Sequence, residues 1–131
     1  MLFTKSPIRP RYFAGAIATT AAHVTWFIVG SAIDGVWSAT ALDIVALTIG
    51  IVWLWVRPGL IPVLFLGLVQ GASLAFNAYT ISSVAFGSAP HRALAAHCVF
   101  RLIAIACLVV GYIRLRRDRS APPPVPSAIS P

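Results

Sequence analysis

The chain has 131 residues, 59% of them hydrophobic and only 10% charged, with ten basic residues against three acidic ones and no Glu. Soluble domains carry about a quarter of their residues as charged side chains. At a mean hydropathy of +0.88, this composition excludes a soluble globular fold and leaves an integral membrane protein. The formal charge of +7 is concentrated at two ends. Lys5, Arg9 and Arg11 precede the first apolar run, and Arg114, Arg116, Arg117 and Arg119 follow the last. Charges so placed act as juxtamembrane anchors against anionic lipid headgroups. Nucleic-acid binding is excluded because it needs a basic face on a folded surface.

In chain order, residues 1–12 form a basic arm broken by Pro7 and Pro10. A first apolar run covers 13–33, close to the ~20 residues that cross a hydrocarbon core. It is too long for a signal-peptide core, and no small-x-small cleavage site follows it, so it reads as a retained anchor. Asp34-Gly35 marks a tight turn. The second run, 36–56, ends at Trp53 and Trp55, aromatic residues of the kind that collect at a membrane surface. Arg57-Pro58-Gly59 breaks the chain, and the third run covers 60–84. Residues 86–92 make the third loop, and the fourth run covers 93–113. Beyond it, 114–131 is a basic stretch and then a Pro-rich tail that cannot pack a core and is expected to be disordered.

The expected fold is all-α: a four-span transmembrane bundle whose short loops make neighbouring helices antiparallel. With Lys and Arg marking the cytoplasm, both termini lie inside, which requires an even number of spans. The loop at Arg57 then falls inside, while Asp34, His91 and Arg92 fall outside, Arg92 against the rule. A plasma membrane is the expected location. The use of Arg in place of Lys suggests a bacterial inner membrane.

At 100° per residue, every span has one polar or small face. His97 and Arg101 share a face of the fourth, together with Ala104, Leu108 and Gly111. Gln70, Ser73, Asn77 and Thr80 form a stripe on the third, beside Gly67 and Gly71. Asp43 lines up with Leu47 and Gly50 on the second, and His23 with Thr20, Phe27 and Gly30 on the first. An intramembrane cation is costly and is kept where something inside the protein answers it. At ~1.5 Å per residue, Asp43 and His97 lie roughly 7–10 Å below the outer surface, and Arg101 and Asn77 about 13 Å. By the same rise, Gln70 and His23 lie near the midplane. Asp43 is the only acid within a span, so it is the expected partner of Arg101. A polar pocket in the outer half follows, made of Asp43, His97, Arg101, His23, Gln70 and Asn77, and it reads either as a structural clasp that fixes which helices pair or as a site for a ligand or proton.

Two histidines in a bundle raise bis-histidine haem ligation. Counted along the helices, their depths differ by roughly 6–9 Å, which argues against it, and no cofactor is expected. No metal is expected either, since HExxH and a third ligand are lacking. Cys98 and Cys107 point to opposite sides of one helix and read as small apolar packers. The small-residue ridges Ala14-Ala18-Ala22 and Gly67-Gly71-Ala75 let helix backbones approach in lipid, within the chain or with another copy. Besides the lipid bilayer, the expected partner is therefore a second copy or another membrane protein. No motif names a reaction. The pattern suits an accessory or assembly subunit or a small ligand-binding bundle, with an oligomeric transporter or channel, or an enzyme acting on a lipid or isoprenoid, as the other classes.

Overall fold

A computed structural model describes residues 10–120 apart from Val36 and Ala39. The basic arm up to residue 9 and the Pro-rich tail from 121 lie outside the described residues. A 3-10 turn, Pro10–Phe13, leads into four helices: α1 (Ala14–Asp34), α2 (Ala41–Val56), α3 (Leu60–Ile81) and α4 (Ala89–Ser120). The fold is all-helical. α1, α3 and α4 are long and apolar enough to cross a membrane, which makes this a multi-pass membrane protein. α2 is apolar but has 16 residues, about 24 Å at 1.5 Å per residue, against a hydrocarbon core of about 30 Å.

The helices form a square. α1 packs against α2 and α4, and α3 packs against α2 and α4. Among the described residues, the backbones of the diagonal pairs do not approach each other. Each helix buries one stripe at helical spacing. The stripe is Ala16, Thr20, His23, Phe27 and Ser31 on α1; Leu47, Gly50 and Leu54 on α2; Pro62, Leu66 and Gln70 on α3; and Arg101, Ala104, Leu108, Gly111 and Leu115 on α4. The outward faces carry the bulky apolar side chains, among them Leu42, Ile49, Leu68, Phe76 and Leu102. Lipid replaces water there, so apolar surface is left outside at little cost, and polar groups turn inward to find partners.

The helix bounds depart from the sequence expectation in four main places, three of them with a local cause. Gly35 ends α1 in the left-handed region (φ 69°), its N–H bonded to Ser31 O at 2.9 Å. The chain then turns again, with Thr40 and Ala41 N–H both donating to Trp37 O, so α2 starts at residue 41 instead of 36. α3 stops at Ile81, because Ser83 and Val84 N–H reach back three residues, to Thr80 O and Ile81 O. α4 starts at Ala89 instead of 93. Gly87 turns the loop with φ 74°, and Arg92 N–H bonds Ser88 O at 3.0 Å. Arg92, which fits poorly with the charge rule, donates from Nη1 to Gly87 O at 2.6 Å and so caps this loop. α4 also continues as a helix through the basic segment to Ser120.

One end of the square is sealed by apolar packing. Phe13, Ala16, Leu54, Leu66, Leu108 and Leu115 are buried there. The 3-10 turn lies across α4, tied by Tyr12 Oη donating to Asp118 and by Arg11 Nη2 at 3.7 Å from the same carboxylate. Gly111 permits this. A Cβ added to it would lie 2.5 Å from Tyr12 O and 2.8 Å from the Phe13 ring. A Cβ on Gly50 would lie 2.7 Å from Leu66 Cδ1, and one on Gly15 would lie 3.2 Å from Cys107 Sγ. Cys98 and Cys107 are both free. The Gly67–Gly71 ridge behaves differently, since a Cβ on either glycine would meet nothing within 4 Å.

Gly111→Ala should therefore lower thermal stability in detergent by about 1–3 kcal/mol, the usual range for overpacking. Gly67→Ala should be neutral or stabilise by up to about 1 kcal/mol, since it removes a poor helix former and fills no occupied space. Equal effects from the two substitutions would show that the 3-10 turn does not rest on α4.

Candidate functional site

Arg101 lies in the middle of α4 on its buried stripe and is wholly enclosed. Its guanidinium is held in three directions. Nη2 donates to Asp43 Oδ2 at 2.7 Å, and Nη1 donates to Gln70 Oε1 at 3.0 Å. Its Cζ stands 5.7 Å from the Phe27 ring centroid, within the ~6 Å range of a cation–π contact. The network continues outward from both acceptors. Ser73 Oγ donates to Asp43 Oδ1 at 3.0 Å, and Gln70 Nε2 donates to Thr20 Oγ1 at 3.3 Å. Arg101–Asp43 joins α4 to α2 across one diagonal of the square, and Gln70–Thr20 joins α3 to α1 across the other. The Arg101–Gln70 bond ties the two diagonals together.

Beside this cross lies an aromatic cluster. His23 is fully buried, and its ring stacks on Phe27 at 4.6 Å between centroids and on Phe100 at 5.3 Å. Phe27 also stacks on His97 at 4.5 Å and 15° between planes. The two histidines are bonded directly, His23 Nε2 to His97 Nδ1 at 2.8 Å. The separation in depth inferred from the sequence is therefore wrong. His97 is eight residues into a helix that begins at Ala89, about 12 Å, and His23 is eleven residues from the end of α1, about 16 Å. The residual difference is within the reach of two side chains.

The contact does not revive metal ligation by the facing nitrogens. A metal held between two imidazoles needs about 2.0 Å to each nitrogen, and 2.8 Å leaves no room for it. Among the described residues, no group of three or more His, Cys, Asp or Glu side chains is placed to hold a metal ion.

Above the cluster a cleft of about 540 Å³ opens between α1 and α4, lined chiefly by Trp26, Phe27, Gly30, Ile33, Ala93 and His97. Ser31, Asp34 and Thr40 lie at its α2 side, where Ser31 Oγ and Thr40 Oγ1 are 2.5 Å apart. Its volume is in the range of small-molecule sites, and its wall is apolar with a few polar groups. No family model, curated protein or solved structure matches this chain. Its chemistry is therefore argued from these residues alone.

Of the residues singled out from the sequence, the structure brings Asp43, Gln70, His23, His97 and Arg101 into one linked region. Asn77 is half-buried and makes no side-chain hydrogen bond among the described residues. Gly67 and Gly71 stand apart from it. Phe27 was visible on the polar face of the first span, but nothing in the sequence gave it the central place it takes between Arg101 and both histidines. Ser73 and Thr20 were likewise on the right stripes without an assigned partner. Among the described residues, two buried side-chain nitrogens have no partner, His23 Nδ1 and Arg101 Nε.

Removing one member of a buried ion pair costs about 3–5 kcal/mol, because the survivor is left uncompensated, whereas an apolar pair of similar volume can be nearly neutral. Asp43→Ala, which strands a fully buried guanidinium, should lower thermal stability in detergent by an amount of that order, and Arg101→Ala by less, because the Asp43 side chain it leaves is 29% exposed. Asp43→Leu with Arg101→Met should recover much of the loss. A double-mutant cycle reads this as coupling, and strictly additive losses would mean the two side chains do not meet.

Proposed function

We propose that this protein is a four-span bundle of a plasma membrane, of the bacterial inner membrane type, that binds a small ligand drawn from the bilayer. Both termini are on the cytoplasmic side, and the cleft beside His97 is in the outer half. The observation that carries the reading is the union of an apolar cleft with a wall histidine, His97, that is bonded to a second, fully buried histidine, His23. A bundle that needed polarity only for helix pairing would have no use for a histidine at an open wall.

The two ends of the interior favour binding over conduction. A channel or transporter needs a polar route through the bundle. Here the polar residues occupy one half, and Phe13, Leu54, Leu66 and Leu108 fill the other. An enzyme on a lipid substrate would need an acid or base free to act. Asp43 is already engaged by both Arg101 and Ser73.

α2 is short for a span, and in this reading it starts below the outer surface, with Thr40 at the cleft edge. Reporter fusions after Arg119 and within residues 86–92 should then give opposite locations. The same side for both would remove the four-span topology.

Gly67 and Gly71, with open space beside them, supply the surface on which a second copy or another membrane protein would pack. Native mass spectrometry of protein released gently from the membrane tests both assignments. Gly30, on the cleft wall, has space for a side chain. Gly30→Phe should fill the cleft and lose a bound small molecule that the unaltered protein retains, and retention by both would place the ligand elsewhere. Gly67→Leu with Gly71→Leu should lose the higher-mass assembly, and an unaltered protein already at monomer mass would remove that surface.

A further inference from the structure

The two histidines constrain what the cleft can recognise. A neutral imidazole has one N–H and one bare nitrogen, so the His23–His97 bond exists in two arrangements. In the first, His23 Nε2–H donates to a bare His97 Nδ1, and His97 carries its own proton on Nε2. In the second, His97 Nδ1–H donates to His23, the His97 Nε2 is bare, and the His23 proton sits on Nδ1.

What surrounds His23 separates them. Its Nδ1 is sealed from solvent and has no partner. Among the described residues, the other sealed, unpartnered nitrogen is Arg101 Nε, which is always an N–H donor. The Arg101 guanidinium also shares Phe27 with His23, at 5.7 and 4.6 Å from the ring centre. A second orphaned N–H beside a buried cation is the worse arrangement. A bare nitrogen there is electrostatically complementary to it.

On the ligand-binding reading above, we infer that His97 presents Nε2–H to the cleft and that the ligand it receives is an apolar molecule whose polar group is an uncharged carbonyl oxygen. His97 lines the cleft and has Nδ1 occupied by His23, so Nε2 is the nitrogen left for a ligand, and it is not among the sealed atoms. A donor there selects an acceptor. Asp34 at the cleft edge puts a carboxylate near the ligand, which opposes a phosphate or a fatty-acid carboxylate. The remaining wall is apolar, and Trp26, half exposed, offers a flat surface on which a ring can stack. Two sources supply such a carbonyl within a bilayer, the ester group of a phospholipid and a free ring ketone such as a quinone.

The full chain, labelled with [15N]histidine and placed in nanodiscs, reads this directly. His23→Gln and His97→Gln assign the ring signals. In the unliganded protein, His97 should be protonated at Nε2 and bare at Nδ1, and His23 likewise. A proton on His97 Nδ1 overturns the inference, with no need of a ligand.

Discs of ether-linked phosphatidylcholine hold no carbonyl, and decylubiquinone is titrated into them. A shift of the His97 Nε2–H signal identifies a free ring ketone as a ligand. A shift that appears on changing to ester-linked phosphatidylcholine alone identifies the lipid. Either supports the inference. Read instead by Trp26 fluorescence, decylubiquinone binding should be weakened tenfold or more by His97→Phe and mostly kept by His97→Gln, which retains an N–H.

Decylamine separates the two failures. If it occupies the cleft, as read by Trp26 fluorescence that Trp26→Phe removes, and the carbonyl probes do not, the ligand-binding reading stands and the carbonyl assignment falls. If no probe or lipid change alters either signal, both fall.

Discussion

The structure depends on satisfying one buried cation. Arg101 is wholly enclosed among four helices, where an unpaired charge would be far more expensive than the bundle could bear. Its acceptors come from α2 and α3, and its aromatic neighbour from α1. No pair of helices is enough to house it. The guanidinium therefore acts as a condition on assembly: the four stripes must come together in one arrangement before its cost is met. Burial of apolar surface cannot supply that condition, because lipid tails already solvate the apolar faces and leave little drive for one packing over another. Close approach at Gly50 and Gly111 adds shape to the same selection.

The division of the interior follows from where that cation sits. Toward the end that holds the 3-10 turn, the stripes continue as Leu54, Leu66, Leu108 and Leu115, with Phe13 inserted among them. Toward the other end they continue as His23, His97, Ser31 and Ser73. An apolar base and a polar upper half give the bundle one rigid end and one end with hydrogen-bonding capacity left over. The spare capacity is concentrated at His97, since Asp43 and Gln70 are committed to Arg101. A cleft at that end and packing at the other is the division expected when a rigid scaffold positions a site.

Helical faces were legible in the sequence because their period survives any error in where a helix begins. Asp43, Gln70, His23, His97 and Arg101 all fall on inward stripes by angle alone. Depth was not legible in the same way. It was counted from assumed helix ends, and each residue of error moves a side chain by about 1.5 Å. α4 begins four residues before the expected 93 because Gly87 turns the loop early, and that shift of about 6 Å turned two contacting histidines into distant ones. α2 begins five residues late because Trp37 O takes two N–H groups after Gly35, a turn with no signature beyond Asp-Gly. Phe27 was hidden for another reason. An aromatic ring on a polar face reads as packing, and only the meeting of three other helices makes it the surface on which a guanidinium and two imidazoles rest.

Arginine, and not lysine, suits this position for reasons visible in the contacts. The two Nη atoms reach acceptors on different helices, Asp43 on α2 and Gln70 on α3, while Cζ stands 5.7 Å from the Phe27 ring centroid. A lysine ammonium is a compact charge that would have to serve both acceptors from one point. It also holds its hydration more tightly, which raises the cost of complete burial. The arrangement is not free of cost even with arginine, since Nε finds no partner and an unpaired buried donor costs about 1–3 kcal/mol. The guanidinium that carries it shares the Phe27 ring with both histidines. The same guanidinium that draws the four helices together thus biases which nitrogen of His23 carries a proton, and through His23 the hydrogen-bonding character of His97 at the cleft.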